Sequence, residues 1–150
     1  DASRFMTDGY RQHSAALRDQ ANARLRRETD DGGALTLTAN TLDQPDTQDP
    51  LGLTQAQLAA DRRQAGTNAL LFDTRKSVRH SQGGLAYERR LSSRDTLRVR
   101  GYGGTRQVTQ FLAFTGAAPT SSGGVVDLDR SFGGGSLQWT RKGELGAGPY

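Results

Sequence analysis

The chain has 150 residues, 33% of them hydrophobic, with 19 glycines, no cysteine, 20 Lys and Arg against 16 Asp and Glu, and a mean hydropathy of −0.71. That length suits one domain, but the apolar share falls well short of the roughly 45–50% of an ordinary packed core. Disulfides and cysteine-bound metals are excluded, and no run approaches the roughly 18 apolar residues of a spanning helix.

Two classes remain: a partly disordered chain, or strands that show apolar side chains on one narrow face only, as a transmembrane barrel with a wet lumen does. The net charge of +4 and a pI near 10 suit an anionic partner. Arg greatly outnumbers Lys, which a GC-rich genome alone would equally produce. The chain opens on Asp1 without a signal-peptide pattern, so any export signal is expected upstream.

Ala15 to Glu28 alternates, with Leu17, Ala21, Ala23 and Leu25 on one face and Arg18, Arg24 and Arg26 on the other. Helix propensity competes here. The strand is preferred because Thr29-Asp30-Asp31-Gly32-Gly33 follows as a turn, and Ala34 to Thr41 then alternates cleanly, completing a hairpin. The long segment Asp43 to Thr74 reads as a loop carrying one short helix. Thr54 and Gln57 have capping-box spacing, and Gly66 reads as the stop.

Arg75 to Arg90 resumes the extended pattern, with a bend or bulge expected at Gly83-Gly84. Ser92-Ser93-Arg94-Asp95-Thr96 is a second tight turn. Leu97 to Phe114 is the next strand, and Thr115 to Gly124 the next long loop. In the last strand Val126, Leu128 and Phe132 alternate with Asp127 and Asp129, and Gly133-Gly134-Gly135 is expected to break parity before Leu137 and Trp139. About five strands result, joined alternately by tight turns and long loops. Antiparallel strands crossing an outer membrane produce that rhythm. The expected fold is therefore all-β: a fragment of an antiparallel up-and-down transmembrane barrel, forming an open curved sheet over residues 1–150.

Several spaced segments carry a family resemblance. They are Thr7-Asp8-Gly9-Tyr10-Arg11, Leu35-Thr36-Leu37, Asp43-Gln44-Pro45-Asp46-Thr47-Gln48-Asp49-Pro50-Leu51-Gly52-Leu53-Thr54, Phe72-Asp73-Thr74-Arg75-Lys76-Ser77-Val78-Arg79, Gly103-Gly104-Thr105-Arg106-Gln107 and Gly124-Val125-Val126-Asp127-Leu128-Asp129-Arg130. Together the stretch from about Phe5 to Arg141 resembles TonB-dependent outer-membrane receptors. The resemblance implies part of a large barrel in the outer membrane of a Gram-negative bacterium, in contact with its lipid. It also implies energised import of a scarce nutrient, such as a ferric siderophore or similar chelate. No plug or TonB box is recognisable in these residues, so coupling to the TonB–ExbB–ExbD system is expected through a region outside them. No enzymatic activity, cofactor or nucleic-acid partner is expected.

On this reading the polar strand face lines the lumen. Arg18, Arg24, Arg26, Arg98 and Arg100, with Thr36, Thr38, Asn40, Asp127 and Asp129, either meet an anionic ligand or only bond water and neighbouring protein. Arg62, Arg63, Phe72, Arg75 and Arg79 are loop or rim candidates, because recognition tends to sit on loops held by a rigid frame. Tyr87 and Trp139 fit an interfacial aromatic belt. His13 and His80 read as solvated or lumenal, not as metal ligands. The Asp127-Leu128-Asp129 pair reads as salt-bridged to Arg130 or Arg141. The alternative class is a soluble or surface-associated basic β-rich binding protein, which detergent independence would favour.

Overall fold

A computed structural model describes residues 1–114 and 124–143. Six strands form one antiparallel sheet in chain order: β1 Ala2–Thr7, β2 Ala16–Glu28, β3 Gly33–Gln48, β4 Arg75–Arg90, β5 Asp95–Phe111 and β6 Val125–Arg141. The sheet is not closed, and β1 and β6 each have one strand neighbour.

The all-β antiparallel expectation holds, with a correction to six strands from about five. The additional one is β1, which pairs from Ala2↔Ala21 to Thr7↔Ala16. The two tight turns lie where the alternation stops, between Glu28 and Gly33 and between Arg90 and Asp95. In the first, Gly32 takes a φ of 75°, which glycine adopts without steric cost.

Several boundaries differ from expectation. β3 runs on to Gln48, so the long loop starts at Asp49, not Asp43. The strand is carried through Pro45 and Asp46 by a bulge between Gln44 and Thr47. No register shift occurs at Gly83-Gly84 or at Gly133-Gly134-Gly135. The β4–β5 and β5–β6 ladders continue through both glycine runs because an antiparallel pair needs backbone groups, not side chains. Most of the expected loop Thr115–Gly124 lies outside the described residues.

The loop between β3 and β4 holds two helices, α1 Gln55–Ala60 and α2 Thr67–Leu71. Thr54 and Gln57 form the expected capping box. Gly66, however, is the N-cap of α2 and not the stop of α1, which ends at Asp61.

This loop folds against the β1–β2 connection. The Arg11 guanidinium donates to the carbonyls of Gln64 (3.0 Å), Leu51 (2.7 Å) and Pro50 (3.2 Å). The Gln12 amide donates to the Arg63 carbonyl at 2.6 Å. His13 Nε2 sits 2.8 Å from the Thr74 carbonyl, so this histidine is enclosed by the loop and not solvated. Most of the buried apolar side chains gather at this end of the sheet: Ala65, Ala69, Val78 and Val108. The rest of the sheet has no core of its own.

Candidate functional site

Strand register sorts every side chain onto one of two faces, since successive residues point to opposite sides. One face, here the arginine face, carries Arg18, Arg24 and Arg26 from β2 and Thr36, Thr38 and Asn40 from β3. From β4 it takes Lys76, His80, Glu88 and Arg90, from β5 Arg98, Arg100, Tyr102 and Arg106, and from β6 Leu128, Arg130 and Phe132. The opposite, leucine face carries Leu25, Leu35, Leu37, Leu85, Tyr87, Leu97, Val99, Leu137 and Trp139 in its turn-proximal half.

The register corrects three expectations. Asp127 and Asp129 stand on the leucine face, opposite Arg98 and Arg100. Their partners are Thr109 (3.5 Å) and Gln107 (3.0 Å), not Arg130 or Arg141. Val126, Leu128 and Phe132 stand on the arginine face. Unbroken parity through the glycine run is the reason for all of these exchanges.

The two faces treat charge differently. On the leucine face four arginines are paired: Arg4 with Asp19 at 2.7 Å, Arg79 with Asp43 at 3.8 Å, Arg89 with Asp31 at 2.9 Å and Arg141 with Asp95 at 3.9 Å. Arg27, in the same register row as Leu35 and Tyr87, is on this face without a carboxylate partner among the described residues. Between those pairs β3, β4, β5 and β6 carry no charge on this face, and β2 carries only Arg27, at the Tyr87 level. On β5 the uncharged stretch separates Asp95 from Gln107, and on β6 it separates Asp129 from Arg141. Roughly eleven residues at about 3.3 Å each make about 36 Å of strand. Leu25 is 64% exposed and Leu137 is 74% exposed.

At the same level the arginine face holds Arg24, Arg26, Arg98 and Arg100. Among the described residues only Arg98 there has a carboxylate partner, Glu88.

The sequence-predicted site residues separate accordingly. Arg24, Arg98 and Arg100 share the turn-proximal half of the arginine face. Arg18 lies on that face nearer the long loops, 5.8 Å over the Phe5 ring. Arg79 is on the leucine face. Arg75 is held at the loop end by Asp46 (3.5 Å) and Asp73, with its guanidinium 3.7 Å over the Phe111 ring. Arg63 stacks 5.6 Å over the Tyr10 ring, Arg62 is exposed beside it, and Phe72 caps α2 half-buried. Thus Arg62, Arg63, Phe72 and Arg75 belong to the folded loop and Arg79 to the outer ion pairs. The structure does not join these five to the strand arginines.

Sequence reasoning passed over Arg106, Arg130, Tyr102 and Phe132. The available signal was glycine placement. Tyr102 lies where a Cβ on Gly134 would meet its ring at 2.9 Å, and Phe132 lies where a Cβ on Gly104 would meet its ring at the same distance. A large ring covering a cross-strand glycine is a recurring sheet device.

At the tight-turn end, Asp31 accepts from the Thr29 hydroxyl, the Tyr87 hydroxyl (2.6 Å) and the Gly33 amide (3.2 Å). The Thr29 hydroxyl first, and then Tyr87, hold its carboxyl down to about 2. Trp139 Nε1 donates to Asp95 at 3.1 Å. Both aromatics therefore sit on the leucine face with their polar ends toward the turns.

Among the described residues no three His, Asp or Glu side chains converge as a metal site. No protein-family model matches the chain.

Proposed function

We propose that this chain is part of the wall of a TonB-dependent outer-membrane receptor that imports an anionic small chelate such as a ferric siderophore. The arginine face lines the passage, and the leucine face meets lipid. Energy reaches the receptor from TonB–ExbB–ExbD through a region outside these residues.

The observation that carries this reading is the contrast between the faces at one level of the sheet. Arg24, Arg26 and Arg100 stand without carboxylate partners on one side, and on the other stands a band rimmed by Tyr87 and Trp139 whose single charge, Arg27, lies at the Tyr87 rim. Water on the first side and hydrocarbon on the second satisfies both. A soluble sheet would have to cover the exposed Leu25, Leu37, Leu85 and Leu137 with a further layer, which tells against the soluble binding-protein alternative.

Cysteine labelling tests the reading, because residues 1–150 contain no cysteine to compete with an introduced one. Single cysteines at Leu35, Leu37 and Ala39 and at Thr36, Thr38 and Asn40 would be introduced into the whole protein in outer membranes. The even positions are expected to react with a water-soluble maleimide, and the odd ones only after detergent extraction. Equal labelling of both sets in intact membranes would exclude the proposed orientation.

A further inference from the structure

One register row of the arginine face holds His80, Arg106 and Arg130 side by side on β4, β5 and β6. Arg106 and Arg130 are direct cross-strand partners. Like charges in that position cost stability, yet neither has a carboxylate within salt-bridge distance among the described residues. A bound anion relieves that repulsion and gains charge-assisted hydrogen bonds from two guanidinium forks.

The adjoining rows supply aromatic surface. Phe132 stacks on His80 with centroids 5.6 Å apart and 7° between the ring planes. Tyr102, 51% exposed, lies one row further toward the turns, and Leu128 borders the cations from the loop side. The exposed Tyr102 ring and the half-buried Phe132, beside two arginines without carboxylates, suit a flat, electron-rich body carrying negative charge.

We propose that this patch binds an anionic ligand with a planar aromatic body. Arg106 and Arg130 take the charged groups, and Phe132 and Tyr102 take the ring. This rests on the arginine face being the wet passage of the proposed receptor, and it names the chemical class that the passage selects.

The whole protein, purified in detergent, would be titrated with pyranine, a planar aromatic trisulfonate, and followed by fluorescence anisotropy. Arg106→Gln and Arg130→Gln are each expected to weaken binding about tenfold and to flatten its salt dependence. Phe132→Leu should weaken it by a smaller factor at unchanged salt dependence. Arg79→Gln, on the opposite face, should leave it unaltered. Citrate, which has no ring, and pyrenemethanol, which has no charge, should each compete at least about tenfold less well than naphthalene-1,3,6-trisulfonate, an aromatic trianion that does not absorb where pyranine is excited. Without ligand, Arg130→Gln should melt roughly 1–3 °C above the parent, since it removes the repulsion.

Pyranine binding that ignores both arginine substitutions, or citrate competing as well as pyranine, would overturn the proposal. A protein that reaches the outer membrane but shows no such binding keeps the barrel reading and loses this one. A protein that binds as described but never partitions into membranes does the reverse.

Discussion

Gly101 offers the sharpest test of the proposal that the leucine face meets lipid. It lies midway along the uncharged stretch of β5, between Asp95 and Gln107, with Leu85 and Gly135 as cross-strand partners. A Cβ at this position meets nothing within 4 Å, so Gly101→Arg carries no steric cost. Six residue steps lead from Gly101 to either boundary. At about 3.3 Å per residue and a tilt of about 45°, the new guanidinium would lie about 14 Å inside a band of about 25 Å, close to its middle.

There an arginine costs about 2–4 kcal/mol, whereas near the rim, at Leu97, it costs about 0–1 kcal/mol. Gly101→Leu fills the same space without charge and is the control. The whole protein would be unfolded by urea in phosphatidylcholine vesicles, with the folded fraction read from unheated gels. In water an exposed sheet position tolerates either residue within about 0.5 kcal/mol. If Gly101→Arg and Gly101→Leu differ by no more than that, the leucine face does not lie in hydrocarbon and the reasoning fails.

Three further outcomes are expected. The Asp31 carboxyl, lowered to about 2 from an ordinary 3.8, favours the folded turn above pH 4 and loses that contribution as pH falls through about 2. The protection of the Gly33 amide, its hydrogen exchange relative to the intrinsic rate at each pH, should fall across that window, and Asp31→Asn should remove that pH dependence. Arg11→Met takes three hydrogen bonds from the carbonyls of Leu51, Pro50 and Gln64. At about 1.5–3 kcal/mol for a bond to a charged group, the loop should open enough for trypsin to cut at Arg62 and Arg63 at least about tenfold faster. Residues 1–150 expressed alone should give no heat-modifiable, protease-resistant membrane species, because the outer edges of β1 and β6 leave backbone groups unpaired in lipid.

The strands that were legible in the sequence are those with long, clean alternation. Leu35, Leu37 and Ala39 against Thr36, Thr38 and Asn40 placed β3, and its turn then placed β2. β1 was not legible. Its six residues mix Arg4 and Met6 on one face with Ser3 and Phe5 on the other, so no period stands out. α2 was hidden because Gly66 reads equally as a stop and as a start. The largest error in the site came from reading glycine as an interruption. Gly133 to Gly135 keep the register of β6, so every side chain upstream of them belongs on the face opposite the one expected. That single parity moved Arg130 and Phe132 onto the arginine face and Asp127 and Asp129 off it.

The same glycines explain how so hydrophilic a chain builds so extended a sheet. On the leucine face Gly83, Gly103 and Gly133 form one register row, with Gly101 and Gly135 in the next, leaving bare backbone. Glycine adds no stabilising burial there, so in water this region would be a weak point of the sheet. In hydrocarbon the balance changes, because each ladder hydrogen bond then guards a peptide group that has no water to turn to. On the arginine face Gly104 and Gly134 have the opposite task, opening room for the Phe132 and Tyr102 rings, and Gly84 leaves room for the Thr38 hydroxyl. Stability from the backbone ladder frees the side chains of β4, β5 and β6 from forming a core. That freedom is what permits two arginines to stand as cross-strand neighbours without a carboxylate between them.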